Sequence, residues 1–470
     1  MLSRLTTTAA QRFCGLAWCC TVLGSTVATQ QAALAQDAPL VCVVAVDADT
    51  GRVHDIADFP GGRMLIGTDK GLFLARAVGG KVTLTPVRGE ADTGRVLSSL
   101  ALPGGRALIG AQKGLFLARE AGGTLTLAPV PGDTGAEPPH TLHDLPGAGV
   151  LVATESGLFL AREQDGKFTV APAGYPGQIL EVDDFMGRGV LLGTGGPWIL
   201  ARTASGKATV TILGGSRIGY VRSIRSFADG VLITARDGWQ LVREQGGKFT
   251  VESFGENAAG SLDALGDLPG SVTLIHGDNG WFTARAAGDK VTFAAAGGPD
   301  TRRVRHMTRV GSALLALTED GWFQLREAGG KIIFAPVADP NTGAEVFRSL
   351  TLPGGGVLIA AEHGLFVARE AGGKVTLERI GETGPALIVR ELPGGGVLIA
   401  TRVQWFVVRE AGSKFSVTPA GPITIGTVIL NARDLGLQLR EFGGALLIGA
   451  ERGLFVVGPA PAGARSCEGR

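Results

Sequence analysis

The sequence predicts an all-β chain, a β-propeller of about ten four-stranded blades, and three observations predict it. The first is self-similarity. GRMLIGTDKGLFLARAVGGKVTLTPV, from Gly62, returns as GRALIGAQKGLFLAREAGGTLTLAPV from Gly105 and as GGVLIAAEHGLFVAREAGGKVTLERI from Gly355. Recurrence at a fixed period of this kind signals a repeat architecture. The second is that each unit divides into four apolar runs of about five to seven residues, which is strand length and too short for a helix. The third is even spacing. The residue that opens the third run falls at Gly71, Gly114, Gly157, Pro197, Gly238, Gly280, Gly321, Gly364, Gln404 and Gly453. The steps are 43, 43, 40, 41, 42, 41, 43, 40 and 49. Steps this even leave no room for a linker in the middle, so a single ring is expected.

Taken in order, the chain opens on Met1–Ala35, which reads as a secretory signal peptide. Arg4 and Arg12 give a positive start, Phe13–Ala28 an apolar middle, and Ala33-Leu34-Ala35 a small-x-small cleavage site before Gln36. The propeller is expected over 36–458 and a Pro/Gly/Ala-rich tail over 459–470. Leu40–Val46 is an orphan strand ahead of the first full unit. In that unit the strands are expected at His54–Phe59, Arg63–Thr68, Leu72–Ala77 and Lys81–Val87. Val, Ile, Leu, Phe and Thr dominate them and suit a pleated, half-buried surface. Pro60-Gly61-Gly62, Thr68-Asp69-Lys70-Gly71 and Gly79-Gly80 supply the turns between them. Pro197 and Gln404 replace the turn glycine in two units, whose hairpins should differ. The tenth unit, around Ala445–Val457, lacks its outer strand. The orphan N-terminal strand can complete it, which closes the ring and removes an open sheet edge.

The core run Leu65-Ile66-Gly67-Thr68-Asp69-Lys70-Gly71-Leu72-Phe73 resembles the two-component regulator propeller repeat, and Leu358–Phe366 resembles it less completely. The resemblance extends over nearly all of the chain after the signal segment. It implies the propeller fold. It transfers no catalytic residues. Members of that family usually precede a membrane span and a signalling domain; neither follows Gly458 here, so the sensor-kinase role is not expected.

Charge is balanced, with 44 Lys and Arg against 43 Asp and Glu, net +1. That offers no electrostatic footprint for nucleic acid. No stretch after the signal is long and apolar enough to span a bilayer. Cys14, Cys19 and Cys20 leave with the signal. Cys42 and Cys467 remain and are expected to form a disulfide at the ring's seam, in an oxidising periplasmic or extracellular setting.

Candidate chemistry is sparse. His140 and His143 stand three apart on a strand, which puts their rings on opposite faces. Asp47-Ala-Asp49-Thr-Gly51 reads as a turn rather than a calcium loop, because the glycine and the closing Glu are misplaced. The third-strand arginines, Arg76 through Arg409, read as strand-end residues pairing locally. Trp198, Trp239, Trp281, Trp322 and Trp405 read as blade packing. No nucleophile elbow, phosphate loop or metal-cysteine cluster can be assembled. No metal and no cofactor are expected. The first strands vary while the rest repeats, and in a propeller they line the central channel. The candidate ligand-binding residues there are His143, Asp183, Arg225, His306, Arg348, Arg390 and Arg440. The expected function is an exported, non-enzymatic binding or scaffold propeller that recognises a protein, peptide or glycan through one face or the channel mouth. The alternative is a periplasmic hydrolase or lyase with its site in the channel.

Overall fold

The computed structural model describes residues 41–459, apart from 133–136, 214–220, 255–261, 299–302, 421–438 and scattered single or paired turn positions. The signal segment, the tail beyond Pro459 and Cys467 therefore lie outside the described residues. Every described element is a strand. The strands form ten antiparallel sheets. We number the blades in chain order. Blade 1 spans Val53–Pro86, blade 2 Val96–Pro129, blade 3 Thr141–Tyr175, blade 4 Ile179–Ile212 and blade 5 Val221–Phe254. Blade 6 spans Leu262–Ala295, blade 7 Val304–Val337, blade 8 Val346–Gly381 and blade 9 Ala386–Pro419.

Blade 10 is split, as expected. Leu439–Phe442, Ala445–Ala450 and Gly453–Pro459 supply three strands, and Val41–Asp47 pairs antiparallel with the last of them. Cys42 stands opposite Gly458 in that ladder.

The strand bounds follow from local chemistry. In blade 2, Gly122 and Gly123 turn the third strand into the fourth with φ of 58° and 78°. Two consecutive positive φ values make the primed turn whose twist matches the flanking strands, and glycine adopts them without strain. The hairpin before the third strand is held by a threonine. Thr68 Oγ1 donates to the Gly71 carbonyl at 3.0 Å, and Thr318 to that of Gly321 at 3.0 Å. The two units lacking the glycine keep this clamp, Thr194 to Pro197 at 2.7 Å and Thr401 to Gln404 at 2.8 Å. Their third strands begin later, at Ile199 and Trp405. Proline fixes φ near −65° and cannot supply the positive φ that glycine does.

Ten apolar clusters hold the ring, and each joins two successive blades. The one that closes the circle packs Val53, Ile56, Met64 and Ile66 of blade 1 against Phe442, Leu447 and Leu454 of blade 10. Stabilisation is thus distributed over joints rather than concentrated in a central core. The five tryptophans lie in these joints with at most 4% of their surface exposed. Burial of that order removes them from any sugar-stacking platform.

Blade 2 carries a short fifth strand, Arg88–Gly89, parallel to its outer strand. The next connection repeats the device with Gly132 bridged to Val170. Gly132 has φ of +130°, and a Cβ there would lie 2.7 Å from the Val170 carbonyl oxygen. Gly132→Ala should therefore combine backbone strain with a clash against main chain and cost about 1–3 kcal/mol. Chemical denaturation of the two proteins checks it; an unchanged midpoint would show that the connection shifts freely off blade 3.

Candidate functional site

The first strand of each blade is innermost, and its residues alternate between the joints to the previous and the following blade. Counting from the register, Asp55, Ala57 and Phe59 of blade 1 share one face. The fifth position of that pattern is apolar around the ring: Phe59, Leu145, Phe185, Phe227, Leu268, Val310, Leu352, Leu392 and Phe442 are all buried, and Leu102 nearly so. The candidate polar residues sit two and four positions earlier on the same strands, and the fourth position, on the other face, is itself charged in blades 1, 3, 4, 6, 7, 9 and 10. The end at which these strands begin receives each incoming turn and the hairpin between second and third strands. Each inner strand thus ends on an apolar residue packed into the joint between blades, whereas its first and third positions vary in polarity.

The end at which the strands begin is built with bulges. In blades 1, 2 and 4 to 9 the ladder between first and second strands slips after its first pair. A bulge re-aims the side chain it carries. In blade 1 that residue is His54, whose Nε2 lies 2.7 Å from Asp69 Oδ1, and Asp69 also meets Arg95 at 3.1 Å. In blade 7 it is Arg305, 4.0 Å from Glu319. The supposed calcium turn is a structural one: Asp49 pairs with Lys70, and blade 2 repeats the pair as Asp92 with Lys113. Among the described residues no group of His, Cys, Asp and Glu could hold a metal.

The seven candidates do not converge on one point. His143 sits mid-strand in blade 3, and His140 just ahead of that strand. Asp183 stands opposite Leu191 in blade 4. Arg225 of blade 5 is ion-paired to Asp267 of blade 6 at 2.5 Å. His306 of blade 7 turns into the joint with blade 8, its Nε2 3.0 Å from Ser349 Oγ. Arg348 of blade 8 donates to the Phe347 carbonyl at 3.0 Å. Arg390 of blade 9 and Arg440 of blade 10 are exposed.

His306 with Ser349 is the nearest approach to a nucleophile and base. Burial, and secondly the Arg348 charge, push the imidazole down to about 4. Such a group is neutral at pH 7 but too weakly basic to take a serine proton efficiently, since a general base works best with its pKa near the operating pH. Asp55 is the other buried member. Its carboxyl accepts from Ser99 Oγ and feels Arg440, yet burial holds it above the usual carboxylate range.

The arginine belt lies at the opposite rim, and here the expectation needs correcting. Several of these arginines pair with the following blade rather than with neighbours on their own strand, whereas Arg243 lies 3.7 Å from Glu252 of its own blade. Arg202 meets Glu244 at 2.6 Å, Arg285 meets Glu327 at 2.6 Å, and Arg369 meets Glu410 at 2.6 Å. Arg119 donates to the Gly166 carbonyl at 2.5 Å. Arg63 grips Glu120 with both nitrogens, at 2.5 and 2.7 Å, and holds that carboxyl below its usual range. These pairs staple the joints between blades.

No protein-family model matches the chain, and no curated protein does. Solved structures give distant likenesses. The extracellular domain of a proposed one-component system from B. thetaiotaomicron is 14% identical with a TM-score of 0.32, over 87% of this chain and 57% of that one. The extracellular domain of a proposed hybrid two-component system from the same organism is 14% identical with a TM-score of 0.31, over 88% and 64%. An ancestral GH74 enzyme is 12% identical with a TM-score of 0.34, over 80% and 63%. The chain thus spans less than two thirds of each of those proteins. At these scores the likeness fixes neither an activity nor a ligand. No helix among the described residues is long and apolar enough to cross a membrane.

Proposed function

We propose that this is an exported propeller that binds a peptide, protein or glycan at the end of its axis where the inner strands begin and does not turn it over. The observation that carries the reading is the asymmetry of the inner strands. Their fifth position is uniformly apolar and buried, whereas the positions two and four residues earlier vary and carry His143, Asp183, Arg225, His306, Arg348, Arg390 and Arg440. Packing demands explain the apolar position; they do not explain the changes of charge two residues earlier, from Ala57 and Leu100 through His143 and Asp183 to Arg225, Arg390 and Arg440. Propellers present ligand-binding loops at such a rim. Export rests on the signal-like Met1–Ala35. Against the hydrolase or lyase alternative stands the weak basicity of His306, the imidazole that meets Ser349 across the joint between blades 7 and 8.

The test is a peptide and glycan array probed with the wild type, with Ala57→Trp, which fills that end, and with Thr85→Trp on the exposed outer strand. Capture by the wild type and Thr85→Trp, lost in Ala57→Trp, is the expected result. Capture indifferent to Ala57→Trp would move the site elsewhere, and release of cleaved products would favour the enzyme.

A further inference from the structure

We propose that the same end of the axis accepts a carboxylate-bearing ligand at the inner strands of blades 8 and 9, through Arg348 and Arg390. This rests on the binding reading above and names the chemistry of its ligand.

Charge accounting around the axis leads there. Several cations on the inner strands have anionic partners: His54 with Asp69, Arg225 with Asp267, and Arg305 with Glu319. The opposite rim likewise carries Arg–Glu pairs between blades. Arg348 and Arg390, like Arg309, show no carboxylate partner among the described residues, and these two stand on neighbouring inner strands. Arg348 is partly buried and, among the described residues, bonds to a main-chain carbonyl of its own strand. Arg390 is exposed, with no carboxylate partner among the described residues.

Register places them together. Arg348 pairs across to Ala360 and Arg390 to Leu398, so Arg348 sits at the first position of its strand's polar face and Arg390 two residues along its own. Arg348 occupies on blade 8 the position that His306 has on blade 7, where the side chain reaches toward the following blade. Beside Arg348, on the inner strand of blade 7, lies a neutral imidazole whose Nε2 is committed to Ser349, so that group adds no negative charge. A partly buried guanidinium without a counter-ion pays desolvation that a bound anion would offset. The guanidinium fork presents parallel N–H donors that match the two oxygens of a carboxylate. A carboxylate on an acidic peptide and one on a uronic acid offer the same oxygens, so the probes must tell them apart.

The experiment titrates fluorescent oligoglutamate and oligogalacturonate against the full mature protein at about 20 mM salt, where screening is weak. The same titration is run with Arg348→Gln/Arg390→Gln, with Arg348→Lys/Arg390→Lys, and with Arg119→Gln from the opposite rim. At least one probe should bind the wild type and Arg119→Gln alike. It should bind the Gln pair roughly tenfold or more weakly and the Lys pair with intermediate strength, as expected when a bidentate fork becomes a point charge. The probe that binds identifies the source of the carboxylate. Absence of binding by both probes, or equal affinity in the Gln pair, overturns the inference. If instead uncharged members of the array bind and Ala57→Trp blocks them, the binding reading stands and the anionic ligand falls. Thermal unfolding of each variant guards against misfolding, and should the Gln pair be unstable, the wild type's own salt dependence still decides. Affinity indifferent to salt between about 20 and 200 mM would contradict an electrostatic site.

Discussion

A chain begun at residue 48, lacking the strand Val41–Asp47, should lose its single closed ring. That strand contributes six paired positions to blade 10. At about 1 kcal/mol net for each ladder hydrogen bond, several kcal/mol of a stability that is typically ~5–15 kcal/mol disappears. The loss falls at the seam, where the joint between Ile56 and Leu447 no longer has an outer strand to brace it. It also bares the edge of Gly453–Pro459, and an open edge invites pairing with another copy. We expect a lowered denaturation midpoint and a rising light-scattering signal on storage. A synthetic peptide spanning 41–47, added in excess, should restore the midpoint by adding back the strand. A truncated protein that stays monomeric and melts where the full chain does would show that the ring is held by its joints alone.

The fold was legible because a propeller writes itself once per blade. The hairpin glycines, the small residue (Thr, Ala or Gly) at the end of each second strand and the apolar third strand all recur at the same offset. The split blade was legible because an orphan strand at one end matched a missing strand at the other. What escaped was contact between blades. Asp55 meets Ser99, His306 meets Ser349 and Arg225 meets Asp267, at separations of 44, 43 and 42 residues. In a ring, one period of sequence is one step around the axis, so residues a repeat apart are neighbours. Reading i against i+42 would have paired Arg202 with Glu244 and shown that such arginines are spent between blades. The apolar fifth position of the inner strand was equally visible in the sequence. It looked like ordinary strand alternation, and the clusters show that it packs the joints between blades. The bulges were not visible, since nothing in Val53-His54-Asp55 distinguishes a slipped ladder from a regular one.

The second large effect is on pH dependence, and it isolates His306. The imidazole is pushed from 6.5 down to about 4 in the folded protein, by burial first and by Arg348 second. The unfolded chain therefore takes up this proton more readily than the folded one. Above pH about 6.5 both states are neutral and the folded state keeps its full advantage. As pH falls from there toward 4, only the unfolded state gains the proton, and stability drains away. The loss saturates near pH 4 at about 3 kcal/mol, from roughly 2.5 units at 1.36 kcal/mol each. Other groups overlay this slope. Asp69, Glu120 and Glu370 are held below their ordinary values and lose their contributions only at lower pH, whereas Asp55, held above its own, works in the opposite direction. A comparison with His306→Gln separates the terms of one residue from all of these, because glutamine can still meet Ser349 but does not titrate. The wild-type midpoint should fall faster than that of His306→Gln between pH 6.5 and 4, and the two should run parallel above pH 7. Parallel curves throughout the acid range would mean that the imidazole protonates in place, and that the joint between blades 7 and 8 admits water.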